Sequence, residues 1–164
     1  MTEDRFSENN FLFSQKIVEQ TRLWLDTPYK HQCSLINIGT DCLGLLRGVW
    51  KAIYGYESEL PPPYTQDWSE ITKVETLYNA ALKHLIPIDD SEMHPGDIFL
   101  FRMRNGCVAK HLGIMSSPTH FIHSYSGHRV VENYLSDYWT SKIVQTFRFP
   151  IPKSTQASVQ FHKD

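Results

Sequence analysis

The hydrophobic residues in the first part of the chain recur at helical spacing. They begin after Ser14, a residue that can cap a helix N-terminus, and Pro28 ends the pattern. The apolar face is made of Ile17, Val18, Thr21, Trp24 and Leu25. This spacing predicts a first helix that starts at Ser14 and ends at Thr27.

A second helical pattern begins at about Cys42. Thr40 or Asp41 can cap this helix, because both side chains accept hydrogen bonds from backbone N–H groups. Its apolar series is Cys42, Leu45, Leu46, Val49, Trp50 and Ile53. Cys42 is therefore expected in the first turn, on the inward face. A third amphipathic helix is expected over residues 71–85.

After the turn at residues 94–97, the pattern changes to short runs that are rich in β-branched and aromatic residues. We expect five strands, over residues 98–101, 111–115, 120–125, 130–134 and 144–149. Helices followed by a meander of strands indicate an α+β domain, in which the helices pack on one antiparallel sheet.

Length and composition indicate a single domain, and the net charge argues against nucleic acids as partners. A chain of 164 residues with 41% hydrophobic and 21% charged residues fits a single domain. We expect its core over about residues 14–150 and a polar tail over 153–164. A net charge of −2 argues against nucleic-acid binding, which needs a basic face.

The chain shows no secretory signal at its start and no apolar run long enough to span a membrane. We therefore expect synthesis in the cytoplasm, with any exit through lysis, a particle or a dedicated machine. The three cysteines form no CxxC pair, so neither a disulfide framework nor a thiolate zinc site is indicated.

Cys42 has the position that favours a nucleophilic thiolate. The unpaired N–H groups and dipole of a helix N-terminus lower the pKa of a thiol placed there. Cys107 and Cys33 lie in irregular segments without this effect. Taken alone, however, a free cysteine is more often a small buried hydrophobe.

Two histidines can supply the base that a catalytic thiol needs. If the strands around residue 117 form a hairpin with its turn centred near Ser117, then His111 lies opposite His123. One imidazole would then abstract the thiol proton while the other orients it. An ordinary cross-strand hydrogen bond is an equal alternative, and a one-residue register slip would separate the pair.

Five segments of the chain together resemble the NlpC family of papain-like cell-wall peptidases, especially its phage and gene-transfer-agent branch. These segments are 24–32, which contains Thr27-Pro28-Tyr29, then Gly39-Thr40-Asp41-Cys42, then Pro95-Gly96-Asp97 followed by Lys110-His111-Leu112-Gly113, and finally Phe121-Ile122-His123-Ser124. The resemblance covers about residues 24–150. It implies a papain-like fold with helices on a five- to six-stranded antiparallel sheet.

The resemblance also assigns roles. It implies Cys42 as nucleophile, His111 as base, His123 as the third catalytic residue, and no metal or cofactor. Tyr29 would help bind the oxyanion, and Asp41 would hold the free amine of a peptidoglycan stem peptide. The bond cut would join D-glutamate, through its side-chain carboxyl, to a diamino acid. Lys110 stands where many members carry serine, so it is either a solvated charge or a contact for a substrate carboxylate.

Alternative functions remain open on the sequence alone. The same thioester chemistry suits an amidase or an acyltransferase. A non-catalytic phage tail protein or murein-binding protein is a further reading, against which the joint presence of the cysteine and both histidines argues. The Pro-rich segment 61–64, with Trp68, is either a rim of the cleft or a stiff connection.

Overall fold

The computed structural model of the protein describes residues 2–58 and 74–152, with side chains from residue 8 onward. The predictions for the Pro-rich segment 61–64, for Trp68, for the start of the third helix at residue 71 and for the tail 153–164 lie outside the described residues.

The described residues form four helices and eight strands, with one short 3-10 turn at Asp90–Glu92. The helices are α1 (Thr2–Arg22), α2 (Cys42–Tyr54), α3 (Thr76–His84) and α4 (Asp137–Lys142). The strands are β1 (Ser34–Leu35), β2 (Gly39–Thr40), β3 (Ile86–Ile88), β4 (Ile98–Phe101), β5 (His111–Ser117), β6 (His120–His123), β7 (Val131–Tyr134) and β8 (Ile143–Arg148).

The main sheet has six strands in the order β3-β8-β4-β5-β6-β7, and every neighbouring pair is antiparallel. All five predicted strands are present, and β3 adds an edge strand. The predicted α+β class and the antiparallel sheet are therefore confirmed. Strands β4 and β5, which lie in the centre, are buried along almost their whole length.

The two faces of the sheet are covered differently, because side chains alternate along each strand. One face packs against α1 and α2 through Ile98, Leu100, Leu112, Ile114, Ile122 and Phe147. The other face is an aromatic cluster of Phe99, Phe101, Met115 and Phe121, which is covered by Trp139 of α4 and by Met93, Met103, Leu135 and Ile143. His111 and His123 lie on this aromatic face, as their ring contacts show.

The prediction for the bounds of the first helix was wrong at both ends. Helix α1 begins at Thr2, and Ser14 lies within it. The predicted start missed the polar first turns, which the hydrophobic pattern does not reveal, although Phe13 still packs against the core. The helix ends at Arg22, before Pro28 is reached, and is followed by turns in which the N–H groups of Trp24 and Leu25 donate to the carbonyl oxygens of Thr21 and Arg22.

Helix α2 begins as predicted, and two glycines let it approach its neighbours closely. A Cβ on Gly44 would lie 1.9 Å from the Cys33 carbonyl oxygen, and one on Gly48 would lie 2.0 Å from the Trp24 ring. These contacts hold the first turn of α2 against the segment that precedes it. The N-terminus of this helix, where Cys42 lies, is therefore fixed in position.

Three short elements were not predicted: the β1–β2 ladder, strand β3 and helix α4. Within the described part of the third helical region, α3 starts at Thr76, so Val74 lies outside it. No helix among the described residues is both long and apolar enough to cross a bilayer.

Candidate active site

Cys42 is the first residue of α2, and its thiol lies against the beginning of β5. Its Sγ atom donates to the carbonyl oxygen of Lys110 at 3.7 Å. The backbone N–H of Leu112 also interacts with the sulfur. The thiol is thus placed between the backbone groups on either side of His111.

The pKa of the Cys42 thiol is raised, whereas the sequence predicts a lowered one. Burial and, to a smaller extent, the neighbouring Asp41 carboxylate raise the pKa of Cys42 from 9.0 to about 12. The backbone N–H groups of the helix start, those of Cys42 and Leu43, lower it, but their effect is smaller. The net direction is opposite to the lowering that the helix start alone predicts.

Asp41 caps α2, as one of the two predicted capping residues. Its Oδ1 accepts from the N–H of Gly44 at 2.7 Å, and its Oδ2 accepts from the N–H of Gln32 at 2.8 Å. The side chain of His31 lies 3.9 Å from the same Oδ2. Asp41 is buried, so it anchors both the helix start and the loop before it.

His111 and His123 are in contact, although not through the predicted register. Ile114 lies opposite Ile122, which places His123 opposite Gly113 and makes His111 its diagonal neighbour. The register differs because the turn lies at residues 118–119 with an irregularity after Met115, rather than at Ser117. The two imidazoles still meet, since diagonal neighbours on one face are within reach of long side chains.

A chain of three side chains sets the tautomers of these histidines. His111 Nε2 lies 2.8 Å from His123 Nδ1, and His123 Nε2 lies 2.6 Å from Asn133 Oδ1. The amide oxygen can only accept, so His123 Nε2 carries a proton and its Nδ1 accepts from His111 Nε2. A neutral His111 protonated at Nε2 keeps the lone pair on its Nδ1. That atom is the one available as a base.

Burial favours the neutral form of both imidazoles. Burial and, to a smaller extent, the neighbouring His123 lower the pKa of His111 from 6.5 to about 3. Burial also lowers the pKa of His123, partly offset by its hydrogen bond to Asn133. Burial therefore acts on the thiol and on the imidazole in the direction of their neutral forms.

Aromatic rings cover the histidine pair. The His111 ring stacks on Phe101 with centroids 5.5 Å apart, and the Trp139 ring meets His123 edge-on at 5.0 Å. Tyr125 contacts both histidines from the solvent side, with 38% of its surface exposed. These rings exclude water from the imidazoles, which explains the burial that lowers their pKa values.

The remaining predicted residues lie around the thiol. Tyr29 is half-buried and forms a backbone bridge with Thr40, two residues before Cys42. Lys110 is half-buried, and its carbonyl oxygen receives the thiol hydrogen bond. The structure thus brings Tyr29, Asp41, Cys42, Lys110 and His111 to one region, with His123 behind His111. Their catalytic roles stay predictions.

Two residues of the site were not predicted. Asn133 completes the histidine chain from β7, and Ser124 donates to the Thr40 carbonyl at 2.9 Å, which ties the end of β6 to the segment before Cys42. Asn133 lies opposite Phe121 and so shares a face with His123. Strand parity would have found it only if the pairing of β6 with β7 had been known.

The arrangement combines a thiol at a helix start, an imidazole with a free Nδ1 on an adjoining strand, and a third group that orients that imidazole. This is the constellation of papain-like cysteine hydrolases. The sequence profile of the NlpC/P60 family matches residues 26–148, three quarters of the chain. The chain belongs to the NlpC/P60 family.

The predicted family is confirmed. The phage and gene-transfer-agent branch stays a prediction. Two relatives are the gamma-DL-glutamyl hydrolase of Bacillus subtilis, 28% identical over 84% of this chain, and the probable endopeptidase NlpC of Escherichia coli, 26% identical over 79%. The match covers 30% of the first relative and 74% of the second.

Solved structures of this family share the fold. An NLP/P60 lipoprotein of Staphylococcus aureus aligns with a TM-score of 0.59 at 21% identity, over 85% of this chain and 42% of that one. NlpC2 of Trichomonas vaginalis aligns with a TM-score of 0.62 at 17% identity, over 85% of this chain and 47% of that one. The NlpC/p60 domain of the peptidoglycan hydrolase SagA aligns with a TM-score of 0.60 at 18% identity, over 83% of this chain and 98% of that one. The predicted papain-like fold is confirmed.

Proposed function

We propose that this chain is a cysteine endopeptidase that cuts peptidoglycan stem peptides through a thioester at Cys42. One observation carries the proposal. The thiol lies between the backbone groups of Lys110 and Leu112, while the chain from His111 to Asn133 leaves Nδ1 of His111 unprotonated. This places the nucleophile, at the start of α2, against the backbone on either side of the base at the start of β5.

The reaction would proceed in two halves. The Cys42 sulfur attacks the amide carbonyl carbon while its proton passes to Nδ1 of His111, which gives a tetrahedral oxyanion. When the C–N bond breaks, the imidazolium returns that proton to the leaving amine, and a thioester remains. Water then attacks the thioester with His111 as base, and the thiol is restored with release of the carboxylic acid.

The raised thiol pKa favours this general-base route. A neutral thiol beside a neutral imidazole transfers its proton as the C–S bond forms, rather than beforehand. His123 would stabilise the imidazolium that forms transiently on His111, and Asn133 would hold His123 in the accepting tautomer. This assigns His123 the orienting role in the proposal.

For the bond, we propose the amide between the side-chain carboxyl of D-glutamate and a diamino acid. Support comes from the names of the two relatives, a gamma-DL-glutamyl hydrolase and a probable endopeptidase. Tyr29 would help bind the oxyanion with the backbone N–H of Cys42. Asp41 would bind the free amine of the stem peptide, and Lys110 would attract a substrate carboxylate.

In the proposal, Asp41 has this second role in addition to capping the helix, where its two oxygens accept from the N–H groups of Gly44 and Gln32. The proposal therefore has the same carboxylate fix the start of α2 and meet the substrate amine. This would couple substrate position to the position of the thiol.

The test uses two synthetic tripeptides, L-alanyl-D-glutamyl-diaminopimelate linked through the γ-carboxyl and the same sequence linked through the α-carboxyl. Products are identified by mass spectrometry. We expect cleavage of the γ-linked peptide alone, and its loss in Cys42→Ala. Cys33→Ala serves as the matched thiol control and should cleave as the wild type does. Failure of the wild type to cleave either peptide would sink the proposal.

The same assay separates the alternative chemistries. An amidase would release the whole stem peptide from a muropeptide, and an acyltransferase would form a new amide when an amine acceptor is added. Delivery after lysis or within a phage-tail-like particle is a further proposal. It is tested by mass spectrometry of purified particles from the producing cells, in which this chain should be present.

A further inference from the structure

The loop that connects β4 to β5, residues 102–110, leads directly into Lys110 and His111. One ion pair stands beside it. Glu75 Oε1 lies 2.6 Å from Nη2 of Arg102, which is the first residue of the loop. Glu75 belongs to the segment before α3, so the pair joins two distant parts of the chain.

Each member of this pair also binds the backbone of the loop. Glu75 Oε2 accepts from the N–H of Ala109 at 2.9 Å. Arg102 Nε donates to the carbonyl oxygen of Cys107 at 2.8 Å. The pair therefore fixes the loop at two residues, Cys107 and Ala109. Ala109 directly precedes Lys110, whose carbonyl oxygen accepts from the Cys42 thiol.

The position of Glu75 supports a dedicated role in this contact. It is the N-cap residue of α3, but its side chain makes no capping hydrogen bond. The preferred N-cap residues, Asp, Asn, Ser and Thr, accept from the first turn of their own helix, and glutamate is not among them. Here both carboxylate oxygens are directed instead to Arg102 and Ala109.

We propose that Glu75 is a positioning residue for His111: with Arg102, it holds Ala109 and the residues that follow in the place where His111 meets the Cys42 thiol. This inference rests on the proposed function. The pair is about one-third exposed, so its contribution to global stability is small. Its effect is instead on the position of His111, because a displacement of about 1 Å at a reacting group costs up to about a hundredfold in rate.

Steady-state kinetics on the γ-linked tripeptide test this role. Glu75→Ala should lower kcat about tenfold or more and change KM less, because only one of the three proposed binding residues, Lys110, lies in the loop. Glu75→Gln keeps an acceptor for the N–H of Ala109 and should recover part of the loss. The matched control is Glu132→Ala, which removes a contact of equal length, 2.6 Å, between Glu132 and Arg22; it should keep the wild-type kcat.

Three results would overturn the inference: a wild-type kcat in Glu75→Ala, an equal loss in Glu132→Ala, or a Glu75→Gln variant no better than alanine. Amide hydrogen exchange provides a readout without substrate. Exchange over residues 102–112 should be faster in Glu75→Ala and unchanged in Glu132→Ala, and unchanged exchange in both would contradict the clamp. If the wild type cleaves neither tripeptide, the peptidase proposal fails while the exchange measurement still decides the clamp.

Discussion

Nε2 of His111 lies 2.8 Å from Nδ1 of His123. Because His123 donates its other nitrogen to Asn133, the direction of this hydrogen bond is determined, and His111 is left with a basic Nδ1. The base that attacks the thiol proton is thus selected by an amide two strands away from it in the sheet.

Asn133→Leu tests this relay, since leucine has similar size and no acceptor. Without the amide oxygen, His123 can adopt the other tautomer, in which its Nδ1 carries the proton and faces His111. We expect kcat to fall about tenfold or more, with little change in KM, as for other orienting partners. Asn133→Asp retains an acceptor and is the control. Equal kcat for Asn133→Leu and the wild type would contradict the relay.

The stability of the fold should depend on pH through His111. Its pKa is about 3 in the folded protein and 6.5 when unfolded, so the unfolded chain binds more protons at mildly acidic pH. The free energy of unfolding therefore decreases as pH falls from about 6.5 towards 3, by at most about 1.4 kcal/mol per pH unit. Urea unfolding at pH 7, 6 and 5 measures this slope. His111→Gln should have a shallower slope, and an identical slope would refute the assignment.

The thiol should remain protonated at neutral pH. Burial and Asp41 raise the pKa of Cys42 to about 12. The thiolate absorbance near 240 nm, taken as the difference between wild type and Cys42→Ala, should stay flat from pH 5 to 8 and rise only above pH 9. A step in absorbance near pH 4 to 7 would instead reveal a preformed thiolate–imidazolium pair.

Gly44→Ala should be destabilising although alanine is the better helix former. Helix propensity alone favours alanine by about 1 kcal/mol. The new Cβ, however, would lie 1.9 Å from the Cys33 carbonyl oxygen, and such overpacking costs about 1–3 kcal/mol. We expect a lower melting temperature and, since Cys42 lies two residues away, a lower kcat. Ala52→Gly on the exposed side of the same helix calibrates the propensity; a stabilised Gly44→Ala protein would show that the close contact is absent.

The sequence alone predicted best those features that depend on residues close together in the chain. Short runs of β-branched and aromatic residues predicted the central strands, and the cap at Asp41 predicted the start of α2. Parity placed His111 and His123 on one face even though the register was wrong by two residues, because a shift of two preserves the face.

The rest depended on tertiary contacts that local patterns do not contain. Asn133 entered the site through the pairing of β6 with β7, and Glu75 through a contact 34 residues along the chain. The thiol pKa was misjudged because the helix start was considered without the β5 backbone that encloses the sulfur. The two-residue strands β1 and β2 were too short to produce a recognisable pattern.

The claim that Cys42 is the nucleophile is tested most directly by the mass of the intact enzyme during turnover. The γ-linked tripeptide is mixed with the wild type and quenched in acid within milliseconds to seconds. We expect an adduct with the mass of the alanyl-glutamyl group on Cys42, which is lost on exposure to hydroxylamine and absent in Cys42→Ala. Cleavage of the tripeptide by Cys42→Ala at the wild-type rate, with no adduct on either protein, would contradict it.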